Sequence, residues 1–181
     1  AGILRCIDPF GYKDAIEFYK KAADLNHTES MYKYAIIVKN GAGVKADKKE
    51  AYKYFRLAAS HGHIDSMNEY CQLYLEIEHA GEDNIFYQYL KIAADNGKIE
   101  SAFYYGKYLY YGIGLMKNKE KSLPYLKIAA DNKYGEACHL YGVELVLANN
   151  ISEGMKYIKT GVDLGDMNCM YFYGHCQIDG L

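Results

Sequence analysis

The sequence predicts an all-α protein, a stack of antiparallel helix–turn–helix repeats of about 36 residues each. The first observation is a pair of small residues that recurs along the chain at an almost constant interval. The second is a set of aromatic, apolar and small residues that keeps helical spacing within every repeat. The pairs are Ala22-Ala23, Ala58-Ala59, Ala93-Ala94 and Ala129-Ala130, with a diverged copy at Gly161-Val162.

The pair marks the second helix of each repeat, which we call helix B. An aromatic residue lies four positions before the first alanine, a large apolar residue lies three before it, and a mostly small residue lies seven before it, so all three share one helix face. In the second repeat these residues are Tyr54, Phe55 and Ala51. We expect the small residues to let a neighbouring helix approach closely.

Helix B has predicted start and stop signals. The residues eleven positions before the pair include Asp47, Asn118 and Asn150, which suit helix N-caps, whereas Glu82 leaves that role open to Asp83. The predicted helix stop lies four residues after the first member of each pair, where glycine or asparagine accepts a left-handed backbone. These residues are Asn26, Gly62, Gly97, Lys133 and Gly165, and Lys133 predicts a strained or altered turn.

A helix A precedes each helix B. Its marker is a tyrosine followed by a small residue, and a second small residue lies five positions before that one. The marker pairs are Tyr34-Ala35, Tyr70-Cys71, Tyr105-Gly106, Tyr141-Gly142 and Tyr173-Gly174. Two A–B loops carry paired glycines, Gly41-Ala42-Gly43-Val44 and Gly112-Ile113-Gly114-Leu115. The loop at Asn149-Asn150 is shorter and should be the tightest.

These columns divide the chain into repeats within one domain. The predicted parts are a partial repeat at 1–29 (loop and helix B), repeats at 30–65, 66–100 and 101–136, a shortened repeat at 137–168, and a partial repeat at 169–181 (helix A). The chain begins without methionine and stops after Gly180, where a loop should open. We expect a fragment of a longer array, without its capping repeats.

The motif resembles the Sel-one-like repeat, a relative of the tetratricopeptide repeat. Gly41-Ala42-Gly43-Val44, Asp47, Ala51, Tyr54-Phe55, Ala58-Ala59 and Gly62 match that unit nearly in full, and the resemblance covers residues 11 to 181. Tyrosine replaces the usual leucine before the small residue of helix A. The resemblance implies a right-handed α-solenoid whose A helices line a concave surface, and a role as an adaptor or scaffold for protein complexes.

Composition narrows the function classes. The net charge of −2 argues against nucleic-acid binding, which usually needs a basic stripe. The apolar runs are too short to span a bilayer, so we expect no membrane insertion, and no signal peptide is visible. The five cysteines are odd in number and do not follow the repeat, which favours reduced thiols and a cytoplasmic location.

Motifs for chemistry are scarce, and we expect no enzyme activity, cofactor or metal in this chain. No phosphate-binding loop and no His-Glu-x-x-His metal motif occurs. His61-Gly62-His63 flanks a helix stop and lacks converging ligands. Cys138, His139, Cys169, His175 and Cys176 form a sulfur–nitrogen group on two A helices, open to a zinc or a Cys–His catalytic interpretation. Burial of Cys169 as a small apolar residue is the simpler interpretation.

Helix A residues outside the packing columns should face a partner. In the later repeats these residues are markedly apolar and aromatic, as at interfaces. The predicted partner-binding residues are Tyr104, Lys107, Tyr110, Tyr111, Leu140, Val143, Phe172 and His175. An alternative is that they pack against adjacent repeats.

The leading functional prediction is therefore a non-enzymatic scaffold or adaptor that binds other proteins through the concave helix A surface and belongs to a larger complex. Three alternatives stay open. The chain could be a regulatory or targeting segment of a larger multidomain enzyme, a structural component of a filamentous or cytoskeletal assembly, or a small enzyme in its own right.

Overall fold

The computed structural model describes residues 9–77 and 84–178, with side chains from residue 14 onward. Within these ranges the chain forms ten α-helices and no β-strand. The helices are α1 Pro9–Asp24, α2 Thr28–Asn40, α3 Lys48–Ser60, α4 Ile64–Glu76, α5 Asn84–Asp95, α6 Ile99–Tyr111, α7 Lys119–Asp131, α8 Gly135–Leu147, α9 Ile151–Asp163 and α10 Met167–Ile178. The even-numbered helices are the predicted A helices and the odd-numbered helices are the B helices.

The chain divides into two compact units, Ala1–Gly81 and Glu82–Leu181. In each unit consecutive helices pack against each other and are joined by short turns, so they run antiparallel. The predicted all-α stack of helix pairs is confirmed in both units. The expected continuity of one solenoid domain through residues 78–83 lies outside the described residues.

The cores use the residues that the repeat columns predict. In α3, Ala51, Tyr54, Phe55 and the alanine pair are all buried. The small residues of helix A are buried wherever a helix B follows, and they permit the close crossings that the sequence predicts. A Cβ added to Gly106 would lie 3.1 Å from Cγ of Leu126 on the next helix B.

A hydrogen bond from a helix B tyrosine to the C-terminal aspartate of the preceding helix B recurs in both units. The pairs are Tyr54 to Asp24, Tyr125 to Asp95 and Tyr157 to Asp131, with oxygen–oxygen distances of 2.6, 2.7 and 2.6 Å. The tyrosines belong to the aromatic column of the repeat. One residue type thus fills the core with its ring and joins successive repeats with its hydroxyl.

The predicted helix stops adopt the left-handed backbone in every repeat. Asn26, Gly62, Gly97 and Gly165 have φ values between 66° and 85°. Lys133 has a φ of 62°, and the amide of the following residue still donates to the carbonyl of Ala129, as in the glycine turns. The Lys133 turn therefore has the same shape as the glycine turns. It is strained only because a residue with a Cβ adopts the left-handed backbone conformation.

The helix B caps agree with the sequence in part. The side chain of Asp47 accepts hydrogen bonds from two backbone amides, and Asn118 accepts one from Lys121. Asn150 is the N-cap residue of α9, but its side-chain amide donates to Glu153 instead of capping the backbone. Glu82 and Asp83 lie outside the described residues. The loop between α8 and α9 has only three residues, which confirms the predicted tight turn.

Candidate functional site

The predicted partner-binding residues lie on the three A helices of the second unit. Helix α6 carries four of them, α8 carries two and α10 carries two. In order they are Tyr104, Lys107, Tyr110 and Tyr111, then Leu140 and Val143, then Phe172 and His175. Packing leaves some of these side chains accessible and buries others, so they are described one by one.

Leu140 corrects the expected surface. Its side chain is only 3% exposed, so it belongs to the core and offers nothing to a partner. The reason is its position on α8, which packs against α7, α9 and α10, and Leu140 shares the buried face of that helix with Ala137. A glutamate at this position would place a charge in the core and unfold the unit, whatever the surface binds.

Tyr104 lies in an aromatic cluster near the middle of α6. Its ring meets buried Phe103 edge to face, with ring centroids 5.0 Å apart, and Phe103 in turn stacks on Tyr134 at 4.3 Å. Burial, and then the proximity of Tyr104, raise the pKa of Tyr134 to about 12. The contacts hold the partly exposed ring of Tyr104 in a fixed orientation.

Lys107 is tied to the next A helix. Its Nζ lies 2.7 Å from Oε1 of Glu136 on α8, and it also lies over the ring of Phe103, 5.5 Å from the centroid. The side chains of Lys107 and Glu136 are 27% and 34% exposed. The pair therefore orients α6 relative to α8 while leaving charge accessible at the surface.

Tyr110 takes part in a second link between these helices. Its hydroxyl donates to Oε1 of Glu144, which also accepts from Nζ of Lys119 at 2.6 Å. Burial, followed by the Glu144 hydrogen bond, raises the pKa of Tyr110. Although partial burial opposes it, the hydrogen bonds from Lys119 and Tyr110 lower the pKa of Glu144. The carboxylate thus stays charged and keeps both donors in place.

Tyr111 is the most accessible aromatic residue of the predicted set, with 48% of its surface exposed. Its ring meets that of Tyr110 edge to face, with centroids 5.0 Å apart. It lies at the C-terminus of α6, just before the left-handed cap residue Gly112. Tyr111 is therefore an exposed ring that packs against Tyr110 and its hydrogen-bond network.

Val143 and Phe172 pack in part against the core cluster of Phe103, Cys138 and Ile158. Phe172 also faces His139, with a centroid distance of 6.4 Å. His175 is exposed and meets the ring of Tyr171 at 4.6 Å. Val143 and Phe172 are thus partly buried, whereas His175 is exposed.

The cysteines of the sulfur–nitrogen group belong to the core, whereas His139 is half-buried and His175 is exposed. Cys138, Cys169 and Cys176 are buried, and burial raises the pKa of Cys138 to about 11 and that of Cys169 to about 12. Protonated thiols at these positions are poor nucleophiles and poor metal ligands. In the described part of the chain, no three His, Cys, Asp or Glu side chains converge to hold a metal ion.

The histidines of the first unit have a capping role that the sequence did not reveal. Nδ1 of His63 accepts from the backbone amide of Ser66, and His27 does the same for Ser30. Both lie three residues before a buried serine of the small column, which is the signal that could have predicted the role. His61 instead contacts the Thr28 hydroxyl through Nδ1, at 3.2 Å.

Sequence reasoning also missed Glu136 and Glu144, because their function depends on which residue of α6 each one faces. The signal is a lysine or tyrosine in one helix A and a glutamate 29 to 34 residues later, as in Lys107–Glu136 and Tyr110–Glu144. The first unit has the same device, since Lys39 of α2 pairs with Glu69 of α4.

Two further features bear on function. A depression on the surface is lined only by α9 and its N-cap, through residues such as Glu153, Lys156 and Tyr157. Catalysis requires functional groups that converge on one point, and the side chains of a single helix face do not converge in this way. None of the helices described is long and apolar enough to cross a membrane.

Comparison with known proteins identifies the repeats. The Sel1 repeat family model matches residues 11–27, 28–63, 99–134 and 132–166, which together cover more than half of the chain. Chitin synthase regulatory factor 2 of Schizosaccharomyces pombe is 42% identical over 62 residues. That alignment spans 34% of this chain and 12% of the yeast protein.

Solved structures share the fold. A Sel1 repeat protein from Oxalobacter formigenes superimposes with a TM-score of 0.65 at 25% identity, covering 93% of this chain and 70% of the other. A protective antigen of uropathogenic Escherichia coli with an SLR fold gives a TM-score of 0.58 at 19% identity, covering 92% and 44%. YrrB, a TPR protein with an unusual peptide-binding site, gives 0.58 at 19% identity, covering 90% and 83%.

The repeat columns, the helix pairs and these matches agree on one solenoid fold class. Repeats of this type are characteristic of non-catalytic scaffolds that bind other proteins. This chain belongs to the Sel1 repeat family, and its tetratricopeptide-like repeats indicate a protein-interaction scaffold.

Proposed function

We propose that the chain binds a partner protein through the helix A face of its second unit, centred on Tyr104 and Tyr111 and extending to Val143, Phe172 and His175. The observation that carries this proposal is the ordered set of partly exposed aromatic rings on α6 and α10. Aromatic residues supply much of the binding energy at protein interfaces because they bury a large area with few rotatable bonds.

Intramolecular contacts favour these residues as a binding surface. Tyr104 is fixed by Phe103, and Tyr111 by the Tyr110–Glu144 network. Side chains that are already oriented lose less conformational entropy when a partner binds. The Lys107–Glu136 pair would lie at the rim, where it favours correct orientation of the partner more than affinity.

The test compares matched charge substitutions. Tyr111→Glu adds a charge to the proposed surface at a site 48% exposed, and Ile128→Glu does the same on helix B α7 at a site 38% exposed. The full-length protein carrying each variant is used for quantitative affinity purification from its source. We expect the Tyr111 variant to lose a specific partner by tenfold or more, the effect of about 1.4 kcal/mol.

The Ile128 variant should retain that partner, and both variants should keep wild-type helicity by circular dichroism. Equal loss in both variants, or none in the Tyr111 variant, would refute the proposed surface. Leu140→Glu is unsuitable, since its buried position would confound binding with folding.

A regulatory role within a larger protein or complex is a second candidate, and the name of the yeast relative favours it. The same surface would then engage another part of the parent protein or its enzyme. Cross-linking mass spectrometry from Lys107 separates the two, because links within the parent favour regulation and links to another protein favour the scaffold. The cytoplasmic location stays a prediction.

A further inference from the structure

Helix α6 presents tyrosine on its accessible side between residues 104 and 111. In this stretch Gly106 and Leu109 are buried, and every other residue except Lys107 is a tyrosine. The tyrosines, all at least partly accessible, are Tyr104, Tyr105, Tyr108, Tyr110 and Tyr111. A partner at this stretch therefore meets aromatic rings and hydroxyl groups, and no accessible aliphatic residue.

Three of these tyrosines form a row. Tyr104, Tyr108 and Tyr111 follow each other at spacings of four and three residues, which places them along one face of the helix. The ring centroids of Tyr104 and Tyr108 lie 6.3 Å apart, with the ring planes inclined by 34°. Phe86 meets Tyr108 in turn, with centroids 6.0 Å apart, and Tyr111 packs on Tyr110. Neighbouring rings thus fix the orientation of the whole row.

The charged groups beside the row are paired within the chain. Nζ of Lys107 lies 2.7 Å from Oε1 of Glu136, and Nζ of Lys119 lies 2.6 Å from Oε1 of Glu144. A charged ligand would have to break one of these pairs and leave a partly buried charge without its partner, which is costly. The row therefore complements a segment that carries no charge where it touches the tyrosines.

The hydroxyl group of Tyr111 is available to a ligand. The residue is 48% exposed, and its hydroxyl makes no hydrogen bond within the described part of the chain. A segment in the polyproline II conformation suits this donor, because that conformation has no internal hydrogen bonds and its carbonyl oxygens stay free to accept. An amphipathic α-helix would pair its backbone groups internally and present only side chains.

The length of the row matches the same conformation. Tyr104 and Tyr111 are about 10 Å apart along the axis of the α-helix. One turn of a polyproline II helix, which contains three residues, advances by about 9 Å. Two prolines that are one turn apart can therefore each lie against one end of the row.

We infer that the row of Tyr104, Tyr108 and Tyr111 binds a proline-rich segment in the polyproline II conformation. This inference rests on the proposed function and names the class of partner that the helix A face takes. Proline rings lie against the tyrosine rings, and a carbonyl oxygen of the segment accepts a hydrogen bond from the Tyr111 hydroxyl. Such a segment is already stiff, so it loses little entropy on binding and a shallow surface suffices.

The first test uses a fluorescently labelled polyproline peptide of about ten residues and a flexible glycine–serine peptide of equal length as the control probe. Each is titrated with the full-length protein, and fluorescence anisotropy measures binding. We expect polyproline to bind about tenfold more tightly than the control peptide, or better. Added salt should leave its affinity unchanged, because no ion pair forms with the peptide.

Matched variants show where the peptide binds. Tyr111→Ser removes an exposed ring and should weaken polyproline binding by about fivefold or more, as expected for a central interface residue. Tyr111→Phe keeps the ring without the hydroxyl and should lose only part of this affinity. Ile128→Ser on α7, at a site 38% exposed, is the control and should bind like the wild type.

Three results would overturn the inference. Polyproline that binds no better than the glycine–serine peptide would exclude this class of partner. Equal affinities of the Tyr111→Ser variant and the wild type would place the peptide elsewhere. A charged amphipathic helical peptide that binds more tightly than polyproline, and that loses this affinity in Tyr111→Ser, would assign the row to a helical partner.

Mass spectrometry of the natural partner separates this inference from the proposed function. A photoreactive residue at position 111 of the full-length protein should capture a segment with prolines three residues apart. Capture of a segment without proline would refute the polyproline ligand and keep the helix A face as the binding surface. No capture above the level at position 128 would refute the proposed function, and this inference with it.

Discussion

Gly161 and Cys169 offer a sharp test of how these repeats pack. Gly161 replaces the first alanine of the small pair, and Cys169 replaces the serine or alanine of helix A. A Cβ added to Gly161 would lie 2.1 Å from Sγ of Cys169 and 3.0 Å from its Cβ. We interpret Gly161 as a compensating residue, because its missing side chain leaves room for the larger thiol of Cys169.

The magnitude follows from this geometry. Non-bonded heavy atoms pack at about 3.5–4.0 Å, so Gly161→Ala must displace Sγ of Cys169 by roughly 1.5 Å. Overpacking of this kind costs about 1–3 kcal/mol, and the better helix propensity of alanine returns about 0.8–1 kcal/mol. We expect Gly161→Ala to lower the free energy of unfolding by about 1 kcal/mol, within a factor of two.

The assay is urea unfolding followed by far-UV circular dichroism. In a Cys169→Ala background the sulfur is absent, and the remaining 3.0 Å contact needs a shift of only a few tenths of an ångström. Gly161→Ala should then be neutral or stabilising, which gives a coupling energy of about 1–2 kcal/mol. Gly174→Ala is the control and should stabilise α10, since its added Cβ meets no other atom.

Two results would refute this reasoning. One is a Gly161→Ala variant that gains stability as Gly174→Ala does. The other is an equal cost of Gly161→Ala with and without the Cys169 thiol, which would mean that the two positions do not compete for space.

Three further predictions concern the turns, the links between repeats and the thiols. Lys133→Gly should raise the free energy of unfolding by up to about 1 kcal/mol in urea titrations, because glycine relieves the left-handed backbone without losing a turn hydrogen bond; a loss of stability would contradict it. Hydrogen bonds from Lys127 and then Tyr157 lower the pKa of Asp131 in the folded state. Its contribution to the free energy of unfolding is therefore full above the unfolded-state pKa of about 3.9 and is lost as the pH falls through the lower folded-state value. Asp131→Asn should reduce this loss of stability in acid, and an unchanged pH dependence would contradict the role of these hydrogen bonds. With pKa values raised to about 11 and about 12, Cys138 and Cys169 should resist alkylation by iodoacetamide at mildly alkaline pH until urea unfolds the chain, and rapid native labelling would contradict their burial.

The sequence predicted the fold well because the repeat makes the same physical demands five times. Every left-handed stop predicted for helix B was confirmed, including Lys133, because the aligned repeats show the backbone requirement even where the residue is not glycine. The shortened loop before α9 was read in the same way. The caps of helix A were missed because His27 and His63 are not common capping residues.

The candidate surface was less predictable. Exposure on helix A depends on which side chains of the neighbouring helices cover each position, so Leu140 is buried although Tyr104 in the same column is partly exposed. The links from α6 to Glu136 and Glu144 depend on the register between helices. Packing between the helices sets this register, so the sequence of one helix alone does not reveal it.

The most direct test of the central claim is site-specific photo-cross-linking in the full-length protein in its source. A photoreactive phenylalanine analogue replaces Tyr111 in one experiment and Ile128 on the opposite helix type in another. The account predicts that one protein is captured from position 111 at several times its level from position 128, and that His175→Glu reduces this capture. Equal capture from both positions would contradict a scaffold that binds through its helix A face.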